Sequence, residues 1–371
     1  MKIRRVSLKN YRNYADETVE FSPGINVFLG QNAQGKTNIL EAVYYAALGR
    51  SHRTSADAEL IRWEEGEARL SVDFLRRDAE NRLEFKFLRD KRRQMTRNGA
   101  AIRMKDLIGA LNVVLFSPED LFLIKGAPAG RRRFLDMEIS QVDPAYFYDL
   151  AVYTRLLSQR NSLLKSIRDG LASENELPLW DIQLVPRAVS VVKKRIKAVQ
   201  QLDVLASETQ KELSGGSERL ALRYEIHGAE EESAASMTND LDSWYNKKMA
   251  ESTKLDILRG VTRFGPHRDD LAFFVNDVDL RAYGSQGQQR TGVLALKLAE
   301  LAFFREETGE YPALLLDDVM SELDRERREQ LLTFIRGEDM QALITATDEV
   351  YFPPEDFGTI FRVEHGTVTR A

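Results

Sequence analysis

Residues 30–37 read Gly-Gln-Asn-Ala-Gln-Gly-Lys-Thr, in which four residues separate two glycines and Lys-Thr follows directly. The apolar run 25–29 comes before this stretch, and residues 38–48 carry apolar side chains at helical spacing, so a strand passes into a helix here. The pattern is typical of a phosphate-binding loop, whose backbone N–H groups and helix N-terminus face the phosphates. The predicted nucleotide contacts are Gly30, Asn32, Gly35, Lys36, Thr37 and Asn38.

Two aspartates follow a second apolar run. Residues 313–316 read Ala-Leu-Leu-Leu and lead directly into Asp317 and Asp318. A strand carries such carboxylates to its C-terminal edge, where open α/β sheets bind ligands. We expect Lys36 to reach the terminal phosphates, and Thr37 and Asp317 to hold a Mg²⁺ ion that bridges them. Asp318 is expected to polarise the attacking water.

A Ser-Gln-Gly-Gln sequence at residues 285–288 precedes a long segment, 290–304, with apolar positions at helical spacing. Taken alone it is a polar turn that caps a helix. Its place between the phosphate loop and Asp317 resembles the signature motif of the ABC ATPases, in which a Ser and a Gly contact the terminal phosphate held by the opposite subunit. The resemblance gives Ser285 a catalytic role and makes nucleotide contacts of Ser285, Gln286, Gly287 and Gln288. Residues 321–324 resemble the D-loop of the same interface.

A series of blocks runs the length of the chain in one order: residues 8–14, 30–38, 49–53, 116–121, 265–271, 285–291 and 316–319. Together they resemble the RecF family of bacterial recombination-repair ATPases, in the SMC-like branch of the ABC ATPases. The resemblance implies an ATP-dependent homodimer that binds duplex DNA and single-strand gap junctions and works with RecO and RecR. It also implies an α/β fold, an ABC-type ATPase head with a mixed sheet around the phosphate loop.

The pattern along the chain fits a head that is interrupted by an insert. Residues 1–125 are predicted as a first ATPase lobe with an antiparallel β subdomain, which includes a hairpin at Asn98-Gly99. Residues 126–213 are predicted as an inserted helical lobe with two antiparallel helices. Residues 214–371 are expected to return to the head, and the acidic residues 230–232 to lie in a solvated connection.

Several basic clusters are candidates for DNA contact. Arg50, His52 and Arg53 are the preferred site, because they follow the first helix of the lobe that carries the phosphate loop. Three further clusters are basic as well: residues 91–93 with Arg97, Arg103 and Lys105, residues 131–133, and residues 193–197. For any single cluster a solvated face is the favoured interpretation. The net charge of −5 argues against a uniformly basic nucleic-acid coat, although one contacted face suffices to neutralise phosphates.

Composition narrows the setting. The absence of cysteine excludes disulfides, thiol nucleophiles and cysteine-bound zinc. The sequence has no apolar stretch of the roughly 18 residues that a membrane span needs, so we expect a cytoplasmic protein without a membrane role of its own.

Departures from the ABC pattern leave three roles open. Many ABC ATPases have Glu where Asp318 stands, and the shorter side chain predicts slow hydrolysis suited to a switch. The usual switch histidine is missing, and Thr347 contacts the phosphate in its place or nothing does. His267 is either a substitute or part of a packed turn, and the stretch 117–120 lacks the usual magnesium-sensing glutamine.

Other classes compete with a DNA-binding ATPase. The nucleotide-binding subunit of an ABC transporter is disfavoured by the 248 positions between Thr37 and Ser285 and by the missing histidine. A structural SMC protein is disfavoured because the insert is too short for a long arm. An ATPase head that acts only through protein partners stays open.

Overall fold

The computed structural model describes residues 1–229, 234–352 and 358–371, so the predicted connection at 230–232 lies outside the described residues. The chain divides into two compact units. The first, called the head unit, consists of Met1–Leu121 and Val293–Ala371. The second, called the inserted unit, is Phe122–Gly292.

Runs of strands and runs of helices follow one another along the described chain. The strands are β1 (Lys2–Tyr11), β2 (Tyr14–Glu20), β3 (Ile25–Leu29), β4 (Glu67–Arg76), β5 (Ala79–Leu88), β6 (Lys91–Arg97), β7 (Ala100–Ala101), β8 (Val113–Phe116), β9 (Leu220–Glu225), β10 (Asp270–Val275), β11 (Val278–Asp279), β12 (Ala313–Asp317), β13 (Ala342–Ala346), β14 (Thr359–Glu364) and β15 (Thr367–Arg370). The helices are α1 (Lys36–Leu48), α2 (Met104–Leu107), α3 (Phe122–Lys125), α4 (Pro128–Val142), α5 (Pro144–Arg168), α6 (Leu177–Leu213), α7 (Leu241–Arg259), α8 (Leu280–Tyr283), α9 (Gln286–Thr308) and α10 (Arg325–Gly337).

A mixed sheet forms the centre of the head unit, with strand order β15-β14-β3-β13-β12-β8. All of its neighbouring pairs are parallel except β14 with β15. Strands β12 and β13 are buried along their whole length, which explains why they read as short apolar runs. Because β3 and β12 both border β13, the ends of three neighbouring strands bring the phosphate loop and Asp317 to one edge.

The second sheet of the head unit is antiparallel, with order β2-β1-β4-β5-β6-β7. The predicted hairpin is present: β6 turns into β7 through Asn98 and Gly99, whose φ angles of 51° and 80° are those of a type I′ turn. Strands β1 and β2, which precede the phosphate loop, belong to this sheet too. Buried Val6 and Leu8 alternate with more exposed residues in β1, as expected for a strand with one covered face.

The inserted unit contains the two predicted antiparallel helices. Ion pairs between Asp149 of α5 and Arg187 of α6, and between Arg160 and Asp181, show that the helices run in opposite directions. A three-stranded sheet, β11-β10-β9, packs with them.

The boundary of this unit differs from the predicted one, because residues 214–292 belong to it and not to the head. The cause is packing that joins β9 to α6. Arg195 of α6 donates to the Tyr224 hydroxyl (3.2 Å), and the Leu222 amide donates to Asp203 (2.7 Å). In the part of the chain that the structure describes, no helix is both long and apolar enough to cross a membrane.

Candidate nucleotide-binding site

Thr37 and Asp317 meet at the edge of the central sheet. Thr37 lies in the first turn of α1, and its hydroxyl donates to Asp317 Oδ1 at 2.8 Å. Thr345, the neighbour of Asp317 on β13, donates its hydroxyl to the same oxygen at 2.8 Å. Two hydroxyls therefore fix the carboxylate beside the start of the helix.

Lys36 is folded back onto the phosphate loop. Its ammonium group donates to the carbonyl oxygens of Gly30 (2.8 Å) and Gln31 (3.1 Å), and the residue is only 3% exposed. Burial lowers the pKa of the Lys36 ammonium, while the charges of Asp318 and Asp317 act in the opposite direction. Phosphate oxygens could therefore take the place of these two carbonyls as hydrogen-bond acceptors for the lysine.

The backbone of the loop is shaped to receive an anion. Within the described chain, the N–H groups of residues 31–35 donate no hydrogen bond, and those of the first turn of α1 point the same way as its N-terminus. Gly35 has φ 120°, and a Cβ there would lie 2.6 Å from Asn13 Nδ2. Such a turn with free amides binds phosphate oxygens well.

The residues present fit a nucleotide with Mg²⁺. Cis ligands of an octahedral Mg²⁺ at about 2.1 Å lie about 3.0 Å apart, and the Thr37 and Asp317 oxygens are separated by 2.8 Å. Among the described residues no group of three or more acidic or histidine side chains could hold a metal ion. The remaining positions of such an ion would therefore be filled by phosphate oxygens and water, as is usual for Mg²⁺.

Asp318 has an unusual backbone. It lies in the left-handed region with φ 53°, and its amide donates to the Thr345 hydroxyl at 2.9 Å. Burial raises the pKa of the Asp318 carboxyl, although the charge of Lys36 offsets part of the effect. The predicted D-loop follows at once, where Ser321 donates to the Asp318 carbonyl (2.9 Å) and Asp324 caps α10.

The signature segment forms a capping box at the start of α9. The Ser285 hydroxyl accepts from the Gln288 amide (3.2 Å), and the Gln288 side chain accepts from the Ser285 amide (3.0 Å). Gln286 and Gly287 are exposed. All four residues belong to the inserted unit, whereas the loop and both aspartates belong to the head unit. Within the head unit the structure places Thr37 against Asp317, and within the inserted unit it joins Ser285 to Gln288.

The preferred DNA-contacting cluster contains two kinds of residue. Arg50 is exposed, and Arg53 is partly exposed with its guanidinium donating to Asn38 Oδ1 (2.8 Å). The His52 ring packs edge-on against Tyr44, and burial lowers its pKa, so at neutral pH it carries no charge for a phosphate. Arg50 and Arg53 are thus the exposed charged residues of this cluster, and Arg53 also lies 3.8 Å from the buried Glu41 carboxylate.

Two other basic clusters have structural partners that the sequence did not reveal. Arg131 is 2% exposed and binds Asp270 through two bonds of 2.7 Å. Lys194 pairs with Asp143 at 2.9 Å, and Arg195 with Asp136 at 2.7 Å. Arg131 and Arg195 are therefore not available to DNA, because both are buried and paired with carboxylates of the inserted unit. The neighbouring side chains of Arg133, Lys193 and Lys197 are exposed.

His267 lies in a packed turn of the inserted unit, which favours a structural role over that of a substitute for the switch histidine. Its Nδ1 bonds to the Tyr153 hydroxyl (2.6 Å) and its Nε2 to the Thr262 carbonyl (3.0 Å). Thr347 is exposed directly after β13. In the stretch without a magnesium-sensing glutamine, Asp120 instead pairs with Lys297 of α9 at 3.4 Å.

Three residues around the loop were missed. Asn13 Nδ2 donates to the Gln34 carbonyl (2.8 Å), Tyr14 donates to the Gly35 carbonyl (3.0 Å), and Thr345 orients Asp317. Asn13 and Tyr14 belong to the block 8–14 that resembles the RecF family, and this resemblance could have pointed to them. For Thr345 the sequence offers none, since its partner is 28 positions away.

The chain is similar over its full length to proteins of one family. The RecF/RecN/SMC N-terminal domain family matches residues 2–369. Proteins named DNA replication and repair protein RecF, from Halalkalibacterium halodurans and Heliobacterium modesticaldum, are 44% and 42% identical over 375 and 377 residues, and each alignment covers all of both chains. Solved structures of the recombination mediator protein RecF-ATPrS and RecF-ATP in the RecFOR pathway match with TM-scores of 0.91 and 0.89 at 34% and 35% identity. They cover 99% and 100% of this chain, and 97% of each solved chain is covered.

Proposed function

Because this chain belongs to the RecF family of DNA replication and repair proteins, within the RecF/RecN/SMC N-terminal domain family, we propose that it is an ATP-dependent DNA-binding protein of recombinational repair and replication restart. In this proposal, ATP joins two copies of the chain into a dimer that holds DNA near single-strand gaps. Slow hydrolysis then releases the DNA. RecO and RecR are proposed partners, on the basis of the pathway named for the solved RecF structures, and a cytoplasmic location is part of the proposal.

The contact between Thr37 and Asp317 is the observation that carries the nucleotide part of the proposal. It joins the loop to the strand that supplies the metal carboxylate, at a separation suited to neighbouring Mg²⁺ ligands. A bound Mg²⁺ would neutralise charge on the phosphates. Thr37 and Asp317 would hold that ion, and Lys36 would exchange the carbonyls of Gly30 and Gln31 for phosphate oxygens.

Hydrolysis would depend on Asp318. Its carboxylate would accept a hydrogen bond from the attacking water and take up a proton at one of its oxygens. Ser285 and Gly287 of a second copy would cap the terminal phosphate, so that neither site is complete in a monomer. Loss of that phosphate then removes the bridge between the copies, which is why hydrolysis would act as a release step.

DNA contact would rest on Arg50 and Arg53, which follow α1 in the head unit. Both residues occur once per copy, so a dimer would present four such charges. The affinity for DNA should then fall with salt, because neutralised phosphates release counterions.

The test is fluorescence anisotropy of a labelled gapped duplex, titrated with protein in ATP and in ADP over a series of salt concentrations. ATP should tighten binding, with log affinity falling by about 0.9 per neutralised phosphate for each unit of log salt. Equal binding in ATP and ADP, or no binding at low salt, would contradict the DNA part and favour an ATPase that acts through protein partners only.

The dimer part is tested with Ser285→Arg, which should still bind ATP yet remain monomeric in analytical ultracentrifugation. Ser173→Arg is the matched control, because Ser173 is also exposed and also forms a capping box in the inserted unit. ATP-driven dimers of Ser285→Arg would refute the shared site.

A further inference from the structure

The turn between β14 and β15 rests against the phosphate loop. The His365 amide donates to the Gln34 side-chain carbonyl at 2.7 Å, and the Gly366 amide donates to the Gln34 backbone carbonyl at 3.3 Å. One loop residue is thus held by both its side chain and its backbone. The two donors come from adjacent residues of a tight turn, with φ angles of 50° and 76°.

The hairpin approaches the loop so closely that two positions leave no room for a side chain. A Cβ on Gly30 would lie 2.4 Å from the Val363 carbonyl oxygen, and a Cβ on Gly366 would lie 2.6 Å from the Asn13 carbonyl oxygen. Asn13 in turn donates its side-chain amide to the Gln34 carbonyl at 2.8 Å. The hairpin therefore contacts both ends of the loop, at its first glycine and just before its second.

The hairpin itself is fixed relative to the strand that carries the loop. β14 pairs in parallel with β3, and the rings of Phe361 and Phe28 stack at 5.0 Å between centroids. At its other strand, the Val368 amide donates to the Glu17 carboxylate of β2 at 3.1 Å. The position of the turn is thus determined by both sheets of the head unit.

We propose that the His365–Gly366 turn is a positioning element for nucleotide. By fixing Gln34, it would hold the free N–H groups of residues 31–35 in one arrangement before the phosphates arrive. A loop that is already ordered loses less conformational entropy on binding, so affinity is gained without a direct contact to the ligand. The inference rests on the proposed function, since it takes the loop to be the ATP site.

Gly366→Ala tests the proposal, and Gly99→Ala is its control. Both glycines occupy the second position of a type I′ hairpin turn in the head unit, with φ 76° and 80°. Alanine therefore imposes the same backbone strain at both positions, but a Cβ on Gly99 has no atom within 4 Å. In titrations with a fluorescent ATP analogue, Gly366→Ala should weaken binding about tenfold and Gly99→Ala should leave it unchanged. Both variants should lower the melting temperature of the nucleotide-free protein, and Gly366→Ala by more, because its Cβ also meets the Asn13 carbonyl oxygen.

Gln34→Met separates positioning from general damage, because it keeps the length of the side chain and removes the acceptor for His365. It should also weaken ATP binding, and the double variant with Gly366→Ala should lose less than the product of the two single losses, since both changes break one contact. Wild-type affinity in Gly366→Ala, or losses that multiply fully, would overturn the inference while the proposed function stands. A wild-type protein that binds no ATP would overturn the proposed function as well.

Discussion

Asp318 combines a left-handed backbone with a carboxyl that is half buried. Aspartate adopts φ values near 53° at lower cost than most residues, since its short polar side chain tolerates that region. The Thr345 hydroxyl accepts from its amide and so holds the conformation. The side chain is thereby fixed next to the strand end, yet it remains one methylene shorter than the glutamate common in ABC ATPases.

This shortness leads to a prediction for turnover. Wild-type protein should hydrolyse ATP well below the median enzyme rate of about 10 per second. Asp318→Glu should raise the rate, because the longer side chain reaches further toward the water, and Asp318→Asn should abolish hydrolysis while ATP still binds. Steady-state phosphate release measures all three proteins. A wild-type rate far above the median, or a slower Asp318→Glu, would contradict the role of side-chain length.

At this scale the sequence indicated which side chains lie together wherever a motif was contiguous, while their chemical roles stay predictions. Lys36 and Thr37 were found from the loop, and Asp317 from the apolar run before it, because strand ends place polar residues predictably. It failed for Arg131 and Arg195. A run of basic residues does not show whether a buried carboxylate lies across from it, and here Asp270 and Asp136 do.

The turn that contains His267 joins elements of the inserted unit. Arg195 of α6 donates to the Pro266 carbonyl (2.7 Å), while His267 contacts Tyr153 of α5. Burial lowers the pKa of His267 to about 4. In the same turn, burial raises the pKa of Asp269 to about 6.

The two shifts affect stability in opposite directions as pH falls. Unfolded histidine binds a proton near pH 6.5, so acid favours the unfolded state until the folded pKa of His267 is reached. Asp269 takes up its proton in the folded state first, so acid favours folding there. Between pH 7 and pH 5, the free energy of unfolding of His267→Gln should therefore fall by about 2 kcal/mol less than that of wild type. The figure follows from about 1.36 kcal/mol for each unit by which the pKa differs between the two states.

Urea unfolding at the two pH values measures this difference. His227→Gln controls for the loss of a histidine from the same unit. An equal pH dependence in wild type and His267→Gln would show that the buried ring does not resist protonation.

Helices and strands with regular apolar spacing were predicted closely, as for β12, α5 and the Asn98-Gly99 hairpin. The family resemblance and the α/β fold of an ABC-type ATPase head are confirmed. The end of the inserted unit was not predicted, because β9 reads as an ordinary strand. Its assignment depends on contacts with α6, such as Tyr224 with Arg195, which local pattern does not encode.

At the scale of the whole molecule, the predicted site residues are divided between two units. The loop and both aspartates belong to the head unit, and the signature residues belong to the inserted unit. If two copies share each nucleotide, binding should change the solvent protection of both units in the dimer. In a monomer, nucleotide binding should change the solvent protection of the head unit alone.

Hydrogen–deuterium exchange can measure this. In wild-type protein, ATP should slow exchange in residues 30–40 and in the first turns of α9. In Ser285→Arg, slowing should be confined to the head unit, because no partner reaches the nucleotide. Protection of residues 286–292, the part of α9 that belongs to the inserted unit, would in that monomeric variant contradict the division of the site between copies.

During synthesis, the strand that carries the phosphate loop is made long before the strands with which it pairs. Both neighbours of β3 in the sheet, β13 and β14, lie about 300 residues downstream. At about 5–20 residues per second, the ribosome needs about 15 to 60 seconds to supply them. For that interval β3 has two unpaired edges, and the inserted unit emerges complete before the head can close. A nascent chain should therefore gain its nucleotide site late, and until then this strand is open to pairing with the wrong partner.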